Sequence, residues 1–454
     1  MDFLNQLVSD VNGVLWGVFF LIPLLCGTGI FYTIKLRFVQ VRKFGLAARF
    51  LLGGASLFGK RADKSGMSSF QALATAVAAQ VGTGNVAGTA TALVAGGPGS
   101  LFWLWVAAFF GMATIFAEAV LAQTYRTKDE QGRVLGGPAY YITLGMGEKW
   151  RPLAVFFSIA IIIALGCIGN MVQSNSIAHA MQTAFNVPAA VSGVVCAVLA
   201  GLVFFGGVGR LASVTEKIVP FMAAIYLIGG LWVIGAHITE VIPAFRLIFV
   251  AAFDPEAVMG GALGLTVAKA MQFGVARGLF SNEAGLGSTP HAHAVAKVQF
   301  PAQQGLVAIV GLFIDTFVVL NMTAFVIFTT GVLDGKTTGI ELAQKAFVSG
   351  FGSFGLAFVA ICLFFFAFST IVGWYFFAEQ NVKYLFGTKV ITYFRIGVMC
   401  FLCLGSMLHV TLVWELADMF NGLMVIPNVI ALFGLSKLVA KALNDYDPDY
   451  TPHK

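Results

Sequence analysis

Long apolar runs recur along the whole of this sequence, and they constrain its fold more than any other feature. Of the 454 residues, 58% are hydrophobic and only 11% are charged, whereas a soluble globular protein carries about 25% charged residues. A chain with so little charge cannot cover a surface that faces water, so it requires the bilayer as a second solvent. The runs predict an all-α polytopic membrane protein with eleven transmembrane helices. We expect these helices near residues 14–35, 69–95, 100–123, 153–181, 188–207, 218–239, 262–288, 304–331, 352–384, 390–410 and 412–440.

The basic residues predict how the chain is oriented in the membrane. Most of the 27 lysines and arginines fall in loops on the side that carries the C-terminus, while Arg246, Lys336 and Lys345 fall on the other side. Cytoplasmic loops are the ones enriched in basic residues. We therefore expect the N-terminus outside and the C-terminus in the cytoplasm, in the plasma membrane of a prokaryote and most simply a bacterial inner membrane. Because the cations lie in short loops between apolar runs, the net charge of +6 does not indicate a nucleic-acid partner.

Two predicted helices contain consecutive glycines and polar residues at their centres. The second helix contains AQVGTGNVAG at residues 79–88, and the seventh contains FGVARGLFSNEAGLG at residues 273–287. Glycine costs about 1 kcal/mol in a helix interior. Such stretches persist where the backbone unwinds to line a cavity, with free N–H and C=O groups that bind a ligand and an ion. The alternative is that the small residues only allow close packing of neighbouring helices.

The two predicted breaks stand at matching positions, because each opens a block of five helices. The second helix would run outward and the seventh inward, which is the arrangement of an inverted repeat with a substrate site near the midplane. We expect one transmembrane unit: a first helix and basic loop (1–68), a first repeat (69–240), a second repeat (241–440) and a tail (441–454). Two aqueous-facing segments are predicted at 241–258 and 333–351.

The alternatives to a transporter are an intramembrane enzyme and a passive channel. An enzyme would need a nucleophile–base pair or a metal constellation such as His-Glu-x-x-His, and the sequence contains none. A channel does not need a substrate-sized polar cluster at two interrupted helices. The sequence therefore predicts a transporter, with no catalytic residues and no metal site.

Five stretches resemble the motifs of the alanine or glycine:cation symporter family, also called the sodium:alanine symporter family. They are QVGTGN at 80–85, GGPGSLFWLWVAAFFG at 96–111, IGNMVQ at 168–173, FSNEAGLGS at 280–288 and FSTIVGW at 368–374. Ser100 and Leu104 stand where alanine and methionine are commoner in that family. The resemblance implies a leucine-transporter-type fold, with a 5+5 inverted repeat that follows one extra N-terminal helix. It also implies symport of alanine with Na⁺ as the coupling ion, and glycine, serine or D-alanine as further substrates.

An amino-acid zwitterion needs donors for its carboxylate and acceptors for its ammonium. Exposed N–H groups at the first break suit the carboxylate, helped by the positive end of the following half-helix. Unwound carbonyls around residues 271–274, together with polar side chains, suit the ammonium. Two aromatic rings are expected to close a small side-chain pocket, of which Trp374 is supported by the family resemblance. The predicted substrate-binding residues are Gln80, Gly82, Thr83, Gly84, Asn85, Asn170, Met271, Phe273, Gly274 and Trp374.

A sodium ion is a hard cation that prefers several oxygen ligands. Ser369 and Thr370 supply hydroxyls on the ninth helix. The backbone carbonyls of Ala78 and Val81 could face them, and Phe366 could add another. This set matches the sodium site between the corresponding helices of the fold that the family resemblance implies. The alternative is that the two hydroxyls bond only to their own helix.

Several ionisable residues are predicted at or near membrane depth: Glu118, Lys269, Arg277, Glu283 and Asp315. Residues of this kind usually pair with one another or line a water path. We expect Asp315 either to form an inner gate with Arg277 and Glu283 or to assist a cation. A second driving ion therefore stays open, because Glu283 or Asp315 could couple the same fold to protons.

Overall fold

A computed structural model of the chain describes residues 2–17, 19–53, 66–254, 266–408 and 410–446, and most of these are helical. In the first half of the chain the helices are α1 (Asp2–Leu15), α2 (Leu21–Lys35), α3 (Val39–Arg42), α4 (Phe44–Gly53), α5 (Ser69–Gln80), α6 (Thr89–Ala95), α7 (Ser100–Thr124), α8 (Pro138–Tyr141), α9 (Arg151–Ile161), α10 (Asn170–Phe185), α11 (Ala189–Phe204), α12 (Gly207–Ala236) and α13 (Val241–Phe253). A short antiparallel hairpin of β1 (Thr127–Lys128) and β2 (Val134–Leu135) separates α7 from α8.

The second half continues with further helices. They are α14 (Val267–Asn282), α15 (Pro290–Ala294), α16 (Pro301–Phe313), α17 (Asn321–Thr330), α18 (Gly339–Phe351), α19 (Phe354–Phe386), α20 (Ile391–Met407), α21 (Val410–Gly434) and α22 (Ser436–Tyr446). Wider π-helical turns occur at Gly84–Gly88, Ile142–Met146, Ile162–Gly169 and Ile314–Leu320. Turns of this type are frequent at functional sites, and three of these four adjoin the site described below.

Seven helical runs in the described part of the chain are long and apolar enough to cross a membrane. They are Ser100–Thr124, Glu148–Phe185, Gly207–Ala236, Pro301–Thr330, Phe354–Phe386, Thr388–Met407 and Val413–Gly434. Each corresponds to a predicted crossing. The helix that corresponds to the predicted crossing at 218–239 begins earlier, at Gly207, because the polar run before residue 218 continues the helix. The other four predicted crossings correspond to the shorter helices α2, α11 and α14 and to the pair α5 and α6. The total of eleven crossings therefore stays a prediction.

The N-terminal region contains helices that the sequence does not predict, namely α1 before the first crossing and α3 and α4 within the predicted basic loop. The predicted crossing at 14–35 begins only with α2, and α1 precedes it as a separate, more polar helix. The Asn12 side chain donates to the carbonyl of Glu415 at 2.8 Å, and the Trp16 indole N–H donates to the carbonyl of Asp418 at 3.0 Å. These bonds hold α1 along α21.

The segment predicted to face water at 241–258 begins with α13, whose exposed face is apolar. Ile242 is 76% exposed and Phe253 is 61% exposed. An exposed face of this kind suits lipid more than water, which differs from the prediction. Other predictions lie partly outside the described residues: the stretch 54–65 of the basic loop, the stretch 255–265 that includes the start of the predicted seventh helix, and the stretch 447–454 of the tail.

Two helices position the site. Helix α7 packs along α14 and α16, and helix α19 packs along α5, α10 and α12. The ends of α5 and α14 are thereby brought to the same region of the molecule, since the Gln80 side chain at the end of α5 donates to the carbonyl of Asn282 at the end of α14 at 2.7 Å.

Candidate substrate and cation site

The first break lies where the sequence predicts it, between α5 and α6. Val81 leaves the helical conformation with ψ 90°, and the chain re-enters a helix through a π-helical turn. The N–H of Gly82 donates to Asn85 Oδ1 at 3.0 Å, and the N–H of Thr83 donates to Gln173 Oε1 at 3.3 Å. The freed backbone of this break is therefore bound by neutral amide side chains.

Three of the predicted substrate residues carry a buried oxygen that has no hydrogen-bond partner within the described ranges. They are Gln80 Oε1, Thr83 Oγ1 and Asn170 Oδ1. Leaving such an atom unpaired costs about 1–3 kcal/mol, and buried polar atoms in native proteins normally have a partner. Two of these oxygens, those of Gln80 and Thr83, lie at the first break, which is the expected feature of a site that binds a polar ligand.

Of the three amides in the first two turns of α10, Asn170, Gln173 and Asn175, Gln173 is the one that reaches the first break. Asn175 points elsewhere and donates to the carbonyls of Gly405 and Leu408 at 2.8 Å each. Asn170 donates to its own helix at 3.3 Å and leaves its oxygen unpaired. The prediction chose Asn170 alone, whereas the structure adds Gln173. The sequence signal that could have found it is its position one helical turn after Asn170.

The second break begins at Glu283, later than the sequence predicts. Helix α14 runs without interruption to Asn282. The chain then has positive φ at Glu283 (59°), Gly285 (85°) and Gly287 (82°), conformations that end a helix and that glycine adopts most readily. The freed backbone of this break therefore lies between α14 and α15.

The prediction that the backbone is unwound at residues 271–274 is therefore wrong. Met271, Phe273 and Gly274 lie inside a continuous helix, where their carbonyls belong to the helical hydrogen-bond ladder. A Cβ atom at Gly274 would lie 2.2 Å from the carbonyl oxygen of Ser100, and the Cβ of Phe273 lies against Gly96. Glycine is needed at position 274 because α14 packs closely on the start of α7. Close packing was the alternative explanation for the small residues of this helix.

Glu118 on α7 holds the second break. Its buried carboxylate accepts hydrogen bonds from the N–H groups of Gly285 at 3.2 Å and Gly287 at 3.0 Å. The side-chain amide of Asn428 on α21 donates to the same carboxylate at 2.7 Å. The freed N–H groups of this break are therefore bound by a carboxyl side chain.

Three aromatic rings lie beside the second break. The indole N–H of Trp374 donates to Glu283 Oε1 at 2.5 Å. The ring of Phe280 stands edge to face against Trp374, with centroids 6.2 Å apart, and lies 5.8 Å from the ring of Trp414. The structure therefore places Trp374 at the site as predicted, but its aromatic neighbour is Phe280, two turns after Phe273.

The five residues of the predicted sodium set come together between α5 and α19, and all five are buried. Thr370 Oγ1 lies 2.9 Å from the carbonyl oxygen of Ala78, 3.3 Å from that of Val81 and 3.0 Å from that of Phe366. Ser369 Oγ lies 3.3 Å from the carbonyl oxygen of Ala78 and 2.8 Å from that of Phe366. Hydroxyl and carbonyl oxygens gathered in this way are the ligands that a hard cation prefers. All of these ligands are neutral.

The charged residues do not form the predicted gate. Arg277 pairs with Asp418 through two hydrogen bonds of 3.1 Å and 2.8 Å. Asp315 accepts from Asn85 at 2.7 Å, and Glu283 accepts from the indole of Trp374. The prediction that Arg277, Asp315 and Glu283 pair with one another is therefore wrong, because each bonds to a different partner.

Comparison with known proteins identifies the family of the chain. A sequence profile described as the sodium:alanine symporter family matches residues 1–453. The chain belongs to the sodium:alanine symporter family. Its relatives include the sodium/alanine symporter AgcS of Methanococcus maripaludis, which is 43% identical over 98% of both chains. They also include the probable sodium/glutamine symporter GlnT of Bacillus subtilis, which is 40% identical over 98% of this chain and 91% of that protein.

A solved structure shares the fold of this family member. The manganese transporter of Eremococcus coleocola is 12% identical and superposes with a TM-score of 0.53 over 85% of this chain and 82% of that chain. With its long apolar helices, this member of the sodium:alanine symporter family is a multi-pass membrane protein of a membrane-transporter fold. It is a transporter and not an enzyme.

Proposed function

We propose that this protein is a sodium-coupled symporter that imports alanine and other small neutral amino acids by alternating access. The observation that carries the proposal is the convergence of the Ser369 and Thr370 hydroxyls with three backbone carbonyls of α5 and α19. Membership of the sodium:alanine symporter family and the relative named as a sodium/alanine symporter support sodium as the coupling ion.

The substrate would bind at the first break. Its carboxylate would take the N–H groups of residues 82–85, where the positive end of the following helical segment favours an anion. Its ammonium would take the unpaired oxygens of Gln80 and Asn170. We assign the small side-chain pocket to Trp374 and Phe280, whose rings would leave room for a methyl group and exclude a long side chain.

The identity of the amino acid is tested by competition. Glycine, serine and D-alanine should compete with labelled L-alanine for uptake, because their side chains are small. Glutamine should not compete, although one relative is named as a probable sodium/glutamine symporter. Competition by glutamine at the concentration at which serine competes would show that the aromatic rings do not set the substrate size.

The finer architecture is part of the proposal. We infer eleven crossings in a 5+5 inverted repeat, with repeats at 69–240 and 241–440, the N-terminus outside and a location in a bacterial inner membrane. The two helix breaks at the ends of α5 and α14 support this arrangement. Labelling of Gln6→Cys and Lys441→Cys, each in a background without the six native cysteines, with an impermeant reagent tests the orientation, because only the first should react in intact cells.

The sodium requirement is tested with purified protein in proteoliposomes. An inward sodium gradient should accumulate labelled L-alanine, and a potassium gradient of the same size should not. Thr370→Ala should abolish accumulation, whereas the control Thr124→Ala, whose hydroxyl bonds only to its own helix at 2.8 Å, should retain it. Accumulation driven by a proton gradient without sodium would favour the alternative, a proton-coupled transporter of the same fold that uses Glu283 or Asp315.

A further inference from the structure

A cavity of about 260 Å³ lies between the β1–β2 hairpin, the start of α12 and the facing ends of α19 and α20. Its charged lining residues are Arg133, Glu379 and Arg395, and the remaining ones are glycines and valines. The proposed orientation makes this side of the protein cytoplasmic, because most of the basic residues lie on it. None of the lining residues belongs to the proposed substrate site or the proposed sodium site.

The guanidinium of Arg395 is held through one edge only. Its Nε–H donates to Tyr375 Oη at 3.0 Å, and its Cζ lies 5.6 Å from the centroid of the Phe205 ring. The Nη2 atom lies 3.6 Å from Glu379 Oε2, which is too long for a hydrogen bond. Among the residues that the structure describes, the two Nη groups therefore have no hydrogen-bond acceptor, although the side chain is only 16% exposed.

Arg133, directly before β2, brings a second guanidinium to the same cavity. Its Nε–H donates to Asp129 Oδ2 at 2.7 Å, and its backbone N–H donates to Oδ1 of the same residue at 2.9 Å. Within the described ranges, its Nη groups also make no hydrogen bond. The N–H groups of a guanidinium bind a carboxylate or a phosphate through two parallel bonds. Two such groups at one cavity indicate a ligand with an anionic group.

The first turn of α12 adds backbone donors to the arginines. Gly207, Val208 and Gly209 line the cavity, and the first N–H groups of a helix have no acceptor within it. No side chain caps this end of α12, and the positive end of a helix favours an anion. The two glycines also let a ligand approach the backbone closely.

Glu379 makes the cavity unsuitable for a ligand that is only anionic. Its carboxylate accepts from the Tyr375 hydroxyl and pairs with Lys383 Nζ at 2.5 Å, and its side chain is 6% exposed. A carboxylate in the same cavity repels a phosphate dianion and attracts an ammonium group. Charges of both signs at one cavity complement a zwitterion.

The uncharged part of the lining suits a small side chain. Val134, Val208 and Val295 supply it. The volume of about 260 Å³ lies below the range of about 300–1,000 Å³ that is typical of sites for drug-sized ligands. A small apolar group such as the methyl group of alanine therefore fits the valines better than a long side chain does.

We propose that this cavity is a second amino-acid site, which binds a small neutral amino acid from the cytoplasm without sodium. Arg133 and Arg395 bind its carboxylate, Glu379 attracts its ammonium, and the valines contact its side chain. Sodium is not required, because the two arginines already balance the ligand carboxylate. The choice of a small neutral amino acid rests on the proposed function, and the preference for a zwitterion follows from the charges of the cavity.

The test is equilibrium binding of radiolabelled L-alanine to purified full-length protein, in sodium buffer and in potassium buffer. The wild type should bind two alanines per chain in sodium and one in potassium. Arg395→Gln should weaken the binding in potassium by at least about 10-fold, because it removes charge-assisted hydrogen bonds. Arg395→Lys, which keeps the charge and loses the planar pair of donors, should lie between this variant and the wild type.

The matched control is Arg151→Gln, which removes an exposed arginine at the start of α9 that does not line the cavity. It should bind alanine as the wild type does in both buffers. Should Arg395→Gln fail to fold, Val208→Phe carries the same test. It fills the cavity without changing a charge, so it should abolish the binding in potassium.

Competition in potassium buffer tests whether the ligand is a zwitterion. Glycine should displace labelled alanine, because it carries both charges. Acetate and methylammonium carry one charge each, so each should need a concentration at least about 10-fold higher than glycine. Displacement by acetate at the concentration at which glycine acts would overturn the assignment of the cavity to an amino acid.

The outcomes separate this inference from the proposed function. If the wild type binds one alanine in sodium and none in potassium, the second site is overturned while the proposed function stands. If binding in potassium persists in both Arg395→Gln and Val208→Phe, the site does not lie in this cavity and the inference is again overturned. If alanine binds in this cavity and sodium adds no further site, the inference stands and the proposed function fails.

Discussion

The two helix breaks differ in what holds the backbone that each one frees. At the first break, the N–H groups of Gly82 and Thr83 are bound by the neutral amides of Asn85 and Gln173. At the second break, two N–H groups are bound by the buried carboxylate of Glu118. A neutral amide is easily exchanged for a ligand carboxylate, whereas a carboxylate that accepts three hydrogen bonds is not. We therefore expect the first break to bind the substrate and the second to support the structure.

The largest expected effect comes from removing the support of the second break. Glu118→Ala leaves two backbone N–H groups and the Asn428 amide without their acceptor, and each unpaired buried donor costs about 1–3 kcal/mol. We expect the free energy of unfolding in mixed micelles to fall by at least about 3 kcal/mol. Glu118→Gln, which keeps one acceptor oxygen, should lie between this variant and the wild type. Equal stability of Glu118→Ala and the wild type would show that the loop is held by something else.

Substitution by alanine should change the free energy of unfolding more for a glycine at the second break than for one in the helix before it. Gly287 has φ 82°, and a Cβ atom there would lie 2.9 Å from Asn428 Cγ, so Gly287→Ala should cost about 1–3 kcal/mol. Gly278→Ala should stay within about 1 kcal/mol of the wild type, because the gain in helix propensity offsets crowding against Leu104.

Thermal unfolding of the two single variants checks this difference. In a Leu104→Ala background the Gly278→Ala change should become stabilising, since the crowded side chain is absent. A larger loss from Gly278→Ala than from Gly287→Ala would contradict the placement of the break.

The partner of Arg277 is tested by two double-mutant cycles. Arg277→Gln and Asp418→Asn should be coupled by about 0.5–3 kcal/mol, because the residues are in contact. Arg277→Gln and Asp315→Asn should be additive within about 0.5 kcal/mol, because they share no partner. Coupling in the second cycle and additivity in the first would restore the gate that the sequence predicts.

The smallest effect is expected at the first break. Gln173→Ala removes one neutral hydrogen bond of 3.3 Å, so the free energy of unfolding should fall by about 1 kcal/mol. The same variant should weaken alanine uptake more than it weakens stability, if this break binds the substrate. A stability loss as large as that of Glu118→Ala would remove the difference between the two breaks.

The sequence correctly predicts the position of the first break and the proximity of the Thr370 hydroxyl to the carbonyls of Ala78 and Val81, while sodium binding there stays a prediction. Glycines beside polar residues at 82–85 disfavour a continuous helix, and the hydroxyls of Ser369 and Thr370 must face some acceptor. The position of the second break is harder to predict, because glycines recur from Gly274 to Gly287 and any of them could mark the end of the helix. Whether such a glycine unwinds the helix or packs it depends on the opposite helix, and Ser100 cannot be placed there from sequence alone.

The partners of the charged residues depend even more on tertiary structure. Glu118 and Gly285 are far apart in the chain, and no spacing rule connects them. The same holds for Arg277 and Asp418, which join α14 to α21. The sequence also does not predict α1, because its polar residues do not suit a membrane crossing. Contacts with α21 stabilise this helix instead.

The Glu118 contacts have a consequence for turnover. The carboxyl group of Glu118 on α7 accepts from the loop after α14, and the Asn428 amide on α21 donates to the Gly285 carbonyl of that loop at 2.9 Å. The loop therefore cannot leave α21 without losing a hydrogen bond, and it cannot leave α7 without losing one to a carboxyl group. Such a bond contributes about 1.5–3 kcal/mol, and every 1.4 kcal/mol added to a barrier slows a step about 10-fold. A transport cycle that separates these three elements would therefore be limited in rate by their release and not by the arrival of the substrate.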